Sequence, residues 1–283
     1  MTAPGNGLRP NNGEPPGQLL PQGTEAPALV ELRDVTMDFG ALRALDHVNL
    51  DVRAGEVVGL LGDNGAGKST IMKVITGYHQ PTGGSIRVFG REERLSSPAV
   101  ARELGIETVY QDLALIDELS VWRNFFLGKE LRRRIGPVQI LRRADMQRIS
   151  QQELAEIGIR RVRSADQRVV GLSGGERQSL AIIRAMYFGA RVLLLDEPTA
   201  ALSLRETERV FHAVEHARQA GHGVLYIDHN IGHVYSIVDR VVVLERGRVI
   251  RTVKKENTTI GELARAIGGP GLEEERADGE GSQ

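Results

Sequence analysis

Between two apolar runs, Val57 to Leu61 and Ile71 to Ile75, the chain reads Gly62-Asp63-Asn64-Gly65-Ala66-Gly67-Lys68-Ser69-Thr70. No other stretch restricts the fold as strongly. A buried strand, a glycine-rich turn and a helix in that order form a phosphate-binding loop. Glycines there let backbone N–H groups curl around an anion that side chains would block. The helix that follows adds the positive end of its dipole and its unpaired N–H groups. Lys68 then reaches the β- and γ-phosphates of a nucleotide, and the Ser69 hydroxyl holds Mg²⁺.

A length of 283 residues suffices for a substantial core. A net charge of −1 argues against a general nucleic-acid or anionic-membrane binder. Cysteine is absent, which excludes disulfides, thiol catalysis and Cys-based zinc sites. The sequence has no apolar run long enough to span a bilayer and no signal-peptide layout at its N-terminus. The expectation is a soluble, cytoplasmic protein.

Residues 1–27, rich in Pro, Gly and Asn, are expected to form a disordered leader. The next segment alternates, with Val48, Leu50 and Val52 separated by Asn49 and Asp51, as a half-buried strand does. An earlier strand is expected over Val30 to Met37 and a later one over Ile86 to Phe89, after a Gly83-Gly84 turn. These pieces read as a small antiparallel layer beside the nucleotide core. Residues 112 to about 168 carry helical patterns and clustered arginines, and read as a helical insertion. Beyond Val169, helices alternate with apolar runs at 192–195, 224–227 and 241–244, the pattern of a largely parallel sheet. A hairpin turn is expected at Arg246-Gly247, a last helix over Thr258 to Ile267, and a disordered acidic tail over 269–283.

A phosphate-binding loop needs a partner carboxylate at the end of a neighbouring strand. Val192 to Leu195 followed by Asp196-Glu197 supplies it, with Asp196 for the metal and Glu197 as the next acid. A carboxylate beside a γ-phosphate can take a proton from attacking water. Ser173 and Glu176, in Leu172-Ser173-Gly174-Gly175-Glu176, have capping-box spacing. The paired glycines equally suit a second helix end that faces phosphate.

Together these elements resemble the ATPase subunits of the ATP-binding cassette (ABC) transporter family. The glycine loop resembles the family's Walker A element and Val192 to Glu197 its Walker B. Leu172 to Glu176 resembles the signature, with Glu176 where Gln is usual. Gln111 matches the Q-loop glutamine, His229 the switch histidine, and Phe39 the aromatic that stacks on adenine. The match covers about residues 29–250. It implies an α/β P-loop NTPase with a RecA-like core, an antiparallel β subdomain and an inserted α-helical subdomain, spanning 28–268. It also implies two ATPase subunits head to tail, each ATP closed in trans by Ser173, Gly174 and Gly175 of the other. Gln111 would contact Mg²⁺ or the water, Glu197 would activate that water, and His229 would touch the γ-phosphate. One departure is Ser203, where the family commonly carries Asp.

Ile106 to Leu115 and Ser120 to Gly128 are similar to monosaccharide importers of the ribose, xylose and fructose type, in particular single-cassette members. The resemblance implies a transmembrane permease docked on 112–128 and the insertion, a second ATPase subunit, and indirectly a solute-binding protein. It places the chain at the cytoplasmic face of the membrane, with no nucleic acid. Another solute, or a soluble cassette acting on ribosomes or DNA, is the alternative. His212 with His216 reads as a solvated face and His233 as a packing or surface residue. The arginines at 132–134, 142–143 and 160–161 suit either an anionic lipid or RNA or a solvated helical surface, and interspersed acids with a net charge near zero favour the solvated surface.

Overall fold

The computed structural model describes residues 28–157, 159 and 164–268. The expected leader, the tail and Arg160-Arg161 lie outside them. Strands β1 (Ala28–Phe39) and β2 (Leu42–Arg53) pair antiparallel, with Val30 opposite Val52 and Leu32 opposite Leu50. The alternation seen in the sequence buries Val48, Leu50 and Val52 on one face. β4 (Gly83–Val88) and the short β5 (Arg91–Glu92) complete a four-stranded sheet in the order β2-β1-β4-β5. Gly83 and Gly84 therefore belong to a strand and not to a turn. Gly84, at φ +78°, lies opposite a register shift in β1, where a Cβ would strike the carbonyls of Arg33 and Asp34.

The second sheet has six strands. β3 (Val57–Leu61), β6 (Ile106–Val109), β9 (Val192–Asp196), β10 (Gly223–Ile227), β11 (Arg240–Glu245) and β12 (Arg248–Lys254) lie in the order β12-β11-β3-β10-β9-β6. All but β12 run parallel, and every residue of β3 and β10 is buried. Burial on both faces explains why these strands read as continuous apolar runs. One face packs on α1 (Lys68–Ile75) and the antiparallel sheet through Ile71, Val74 and Leu32. The other packs on α5 (Gly174–Tyr187), α6 (Leu204–Gln219), α7 (Ile231–Ile237) and α8 (Ile260–Gly268). Gly59 of β3 lets α7 come close, since a Cβ there would lie 2.4 Å from Val234 Cγ1.

A short helix, α2 (Pro98–Glu103), precedes β6, capped by the Ser97 hydroxyl. The insertion that follows differs from expectation. It holds α3 (Val121–Phe125) and α4 (Arg143–Glu156), but between them β7 (Arg132–Ile135) and β8 (Val138–Leu141) form an antiparallel hairpin. Gly136-Pro137 makes its two-residue turn, with Gly136 at φ +59°. Three consecutive arginines hid the strand, because alternation is lost where every β7 side chain is solvated. Trp122, Phe125, Phe126, Met146 and Leu154 form a separate core against Leu180 and Ile183 of α5.

Candidate active site

Parallel pairing brings four functional segments to one edge of the six-stranded sheet. Ile227 of β10 lies opposite both Leu60 of β3 and Asp196 of β9, and Val109 of β6 opposite Leu195. The glycine loop, the acidic pair, His229 and Gln111 thus all leave the carboxyl ends of neighbouring strands, where open α/β sheets bind ligands.

In the loop, Gly62, Gly65 and Gly67 adopt φ of +155°, +81° and +110°. A Cβ on Gly62 would meet the Leu244 carbonyl, and one on Gly67 would lie 3.0 Å from the Ala44 carbonyl. Ala66 is buried and donates its N–H to Asp63 O at 3.1 Å, closing the turn. Helix α1 then starts without a side-chain cap and without an acid in its first turn. An uncapped helix end behind inward-curled amides fits a phosphate group. The Lys68 ammonium donates to Gly62 O and Asp63 O, which holds it over the loop. Burial draws its pKa down, against the charges of Glu197, Asp63 and Asp196.

A cleft of about 530 Å³ is lined by Asp63 to Gly65, Gly67 to Thr70, Asp196, Glu197 and Phe39. β9 ends at Asp196, and Glu197 turns into the left-handed region at φ +46°, its N–H donating to Ile227 O at 2.7 Å. That strained turn directs both carboxylates into the cleft, where a continuing strand would have separated them. Burial, then the Glu197 charge, raise the Asp196 pKa, and Lys68 opposes them. Asp196 and Ser69 present oxygen atoms to the same cleft, the kind of donor that Mg²⁺ takes. His229 Nδ1 lies 3.1 Å from Glu197 Oε1.

Phe39 is 43% exposed at the cleft rim, edge-on to His79 at 5.1 Å. Gln111, exposed after β6, and residues 173–175 do not line this cleft. The Ser173 hydroxyl accepts from Glu176 N–H at 3.4 Å, and Ser173 N–H donates to Glu176 Oε2 at 2.9 Å, which completes the capping box. Arg209 also donates to Ser173 Oγ at 3.0 Å. Ser203 caps α6 through Glu206, whose other oxygen takes the Gly174 N–H at 3.0 Å. Among the described residues no cluster of three metal-binding side chains occurs, so His212 and His216 have no third ligand.

Behind the cleft is a buried network not read from the sequence. Thr199 Oγ1 donates to Asp228 Oδ2 at 2.6 Å and lies 3.0 Å from both the Tyr226 hydroxyl and His233 Nδ1. Asp228 is 2% exposed and precedes His229, so the network fixes where the histidine leaves β10. Burial pushes the Tyr226 hydroxyl far above its usual range. A tyrosine inside the apolar run at 224–227 was the available signal, since a buried hydroxyl needs a partner.

The sheet, the glycine loop and the acidic pair define a P-loop nucleotide-binding protein. The sequence profile of the ABC transporter family matches residues 45–200. The chain is 45% identical over 239 residues to a xylose/arabinose import ATP-binding protein of Sulfolobus acidocaldarius, covering 84% of this chain and 93% of that protein. It is 38% identical to a fructose import ATP-binding protein of Rhizobium meliloti, covering 82% and 90%. For a ribose import ATP-binding protein of Yersinia pestis the identity is 39%, over 85% of this chain but 46% of that protein. Among solved structures, a dimeric ATP-binding cassette bound to ADP and phosphate superposes with a TM-score of 0.64 at 26% identity, covering 81% and 100%. A nucleotide-free cassette superposes at 0.68 with 22% identity, covering 86% and 96%, and shares the fold. The chain belongs to the ABC transporter family.

Proposed function

We propose that this chain is the ATP-hydrolysing subunit of an importer that takes up a monosaccharide such as xylose, fructose or ribose. The relatives above are named for import of those sugars, and two of them match this chain over nearly their whole length. The observation that carries the hydrolytic reading is the convergence of Lys68, Asp196 and the Glu197–His229 pair in one cleft. Lys68 and the α1 amides hold the phosphates, and Ser69 and Asp196 hold Mg²⁺, which neutralises charge developing on the transferred phosphoryl group. Glu197 accepts the proton of the attacking water, and His229 orients its carboxylate. Phe39, at the cleft rim, stacks on the adenine.

The second ATPase subunit supplies Ser173 to Gly175 across the dimer, and Gln111 links the site to the permease side. Among the described residues no helix is long and apolar enough to cross a membrane. In this proposal the translocation path is supplied by permease chains. A groove of about 440 Å³, lined by Tyr110, Asp112 to Ala114 and Leu127 to Lys129, is the proposed seat of a permease segment at the cytoplasmic membrane face. Glu197→Gln replaces the carboxylate by a carboxamide of nearly the same shape and so removes the proton acceptor. It should leave ATP binding intact, nearly stop hydrolysis and accumulate a closed dimer. Normal turnover would remove Glu197 from this role. Copurification with a permease supports import, whereas copurification with ribosomes would replace it by a soluble function.

A further inference from the structure

The β7–β8 hairpin is the part of the molecule whose surface the ATPase chemistry leaves unexplained. All eight strand residues are exposed. Residues opposite each other share a face. Ile135 with Val138 and Arg133 with Ile140 therefore form one face, and Arg132 with Leu141 and Arg134 with Gln139 form the other. Ile135, Val138 and Ile140 are each about half exposed, at 49, 56 and 48%. A two-stranded ribbon is marginal alone in water, and an aliphatic tip on it gains nothing from solvent.

Charge identifies what such a tip can meet. From Lys129 to Asp145 the chain carries six Lys and Arg against two acids, while the whole chain is at −1. Both acids are already paired, Glu130 with Arg132 at 3.3 Å and Asp145 with Arg142 at 2.7 Å. Arg133 has no side-chain partner among the described residues, and Arg134 donates only to the Gly136 carbonyl at 3.0 Å. At the base of the ribbon a depression of about 490 Å³ lies between Arg132, Arg133, Arg142 and Arg143. Clustered guanidinium groups match phosphate oxygens. Three aliphatic side chains without an aromatic anchor are too few for a protein interface core. They suffice for an interfacial contact in which a shallow apolar tip and a basic flank act together. The ribbon begins three residues after Lys129, which lines the groove assigned above to the permease.

We propose that the β7–β8 hairpin enters an anionic lipid surface tip first, with Ile135, Val138 and Ile140 at the headgroup boundary and the arginines of both faces, Arg132 to Arg134, on lipid phosphates. The inference stands on the hairpin and is independent of which solute is imported. The structure puts Arg132 to Arg134 on an exposed strand instead of a helix, and the proposal takes up the anionic-lipid alternative of the sequence reading.

The test is flotation of the full chain with vesicles of phosphatidylcholine alone or mixed with phosphatidylglycerol. Binding to the anionic vesicles only is expected. Arg133→Gln with Arg134→Gln should lower the partition coefficient about 25-fold, at about fivefold per arginine near such a surface. The corresponding double Lys variant should retain binding, and Val138→Ser should weaken it. Unchanged circular dichroism and nucleotide affinity establish that the variants are folded. Equal recovery on neutral vesicles would overturn the proposal, as would no recovery on either, or an unaffected Gln variant. Capture only by vesicles that contain the permease would overturn it in favour of protein docking.

Discussion

Gly175 separates two explanations of the paired glycines at the start of α5. A Cβ built on Gly175 lies 2.5 Å from Glu206 O, 2.9 Å from Glu206 Cα and 2.9 Å from Glu206 Cβ. All three atoms belong to α6, two of them to its backbone, so relief requires the helix itself to move. A Cβ on Gly174 instead meets Leu202 Cδ2 at 2.6 Å, the far end of a side chain that can rotate. Carbon–carbon contacts relax near 3.5–4.0 Å, so α6 must withdraw by roughly 1 Å to accept Gly175→Ala. Overpacking of this kind costs about 1–3 kcal/mol. The better helix propensity of Ala returns at most about 1 kcal/mol. The net expectation for Gly175→Ala is a loss of about 1–2 kcal/mol, and for Gly174→Ala a change near zero.

In a domain of this size about 1 kcal/mol shifts the melting temperature by roughly 2–4 °C. Thermal unfolding followed by circular dichroism should therefore place Gly175→Ala roughly 2–8 °C below the parent, with Gly174→Ala close to it. The same withdrawal would strain the 3.0 Å bonds from Gly174 N–H to Glu206 and from Arg209 to Ser173 Oγ. Equal melting temperatures for the parent and Gly175→Ala would refute close helix approach as the reason for glycine here. So would an equal loss in Gly174→Ala.

Two further outcomes test the cleft and the core. Lys68→Ala removes the ammonium held over the loop and should weaken nucleotide affinity itself in a fluorescent-nucleotide titration; unchanged affinity would count against its contact with phosphate. His222, between α6 and β10, has its pKa lowered chiefly by burial. Above the unfolded value of about 6.5 both states are neutral and the histidine costs nothing. As pH falls through 6.5 toward the lower folded value, the unfolded chain takes up the proton first and stability is lost. Urea midpoints should therefore fall less from pH 7.5 to 5 in His222→Gln than in the parent; an identical slope would assign the acid sensitivity elsewhere.

What could be read from the residues follows from where the chemistry resides. The phosphate loop is made of backbone, so its demand on the chain is glycine at fixed places, and Gly62, Gly65 and Gly67 at positive φ meet that demand. The central parallel strands β3 and β10 are buried on both faces, and an unbroken apolar run states this directly. The hairpin at 132–141 was missed because solvated strands carry no apolar alternation, and Gly136-Pro137 was its remaining signal. The network of Thr199, Tyr226, Asp228 and His233 joins residues up to 34 positions apart, and only the pairing of β9 with β10 makes them neighbours.

The two helix ends that the sequence left equivalent are not equivalent in the fold. At α1 no side chain caps the helix and no acid enters its first turn, and the end opens on the cleft that holds Lys68 and Asp196. At α5 the Glu176 carboxylate takes the Ser173 N–H, and Glu206 takes that of Gly174. The Ser203 hydroxyl and backbone bonds from Ser203, Gly174 and Gly175 hold the Glu206 carboxyl below its usual range, so it stays charged there. Anion binding at α5 therefore competes with carboxylates already bonded to the helix end, whereas at α1 no side chain bonds to the end. Ser203, where the family commonly has Asp, belongs to the same arrangement. As the N-cap of α6 it fixes Glu206 with a 2.7 Å bond, tying the loop after β9 to the start of α5.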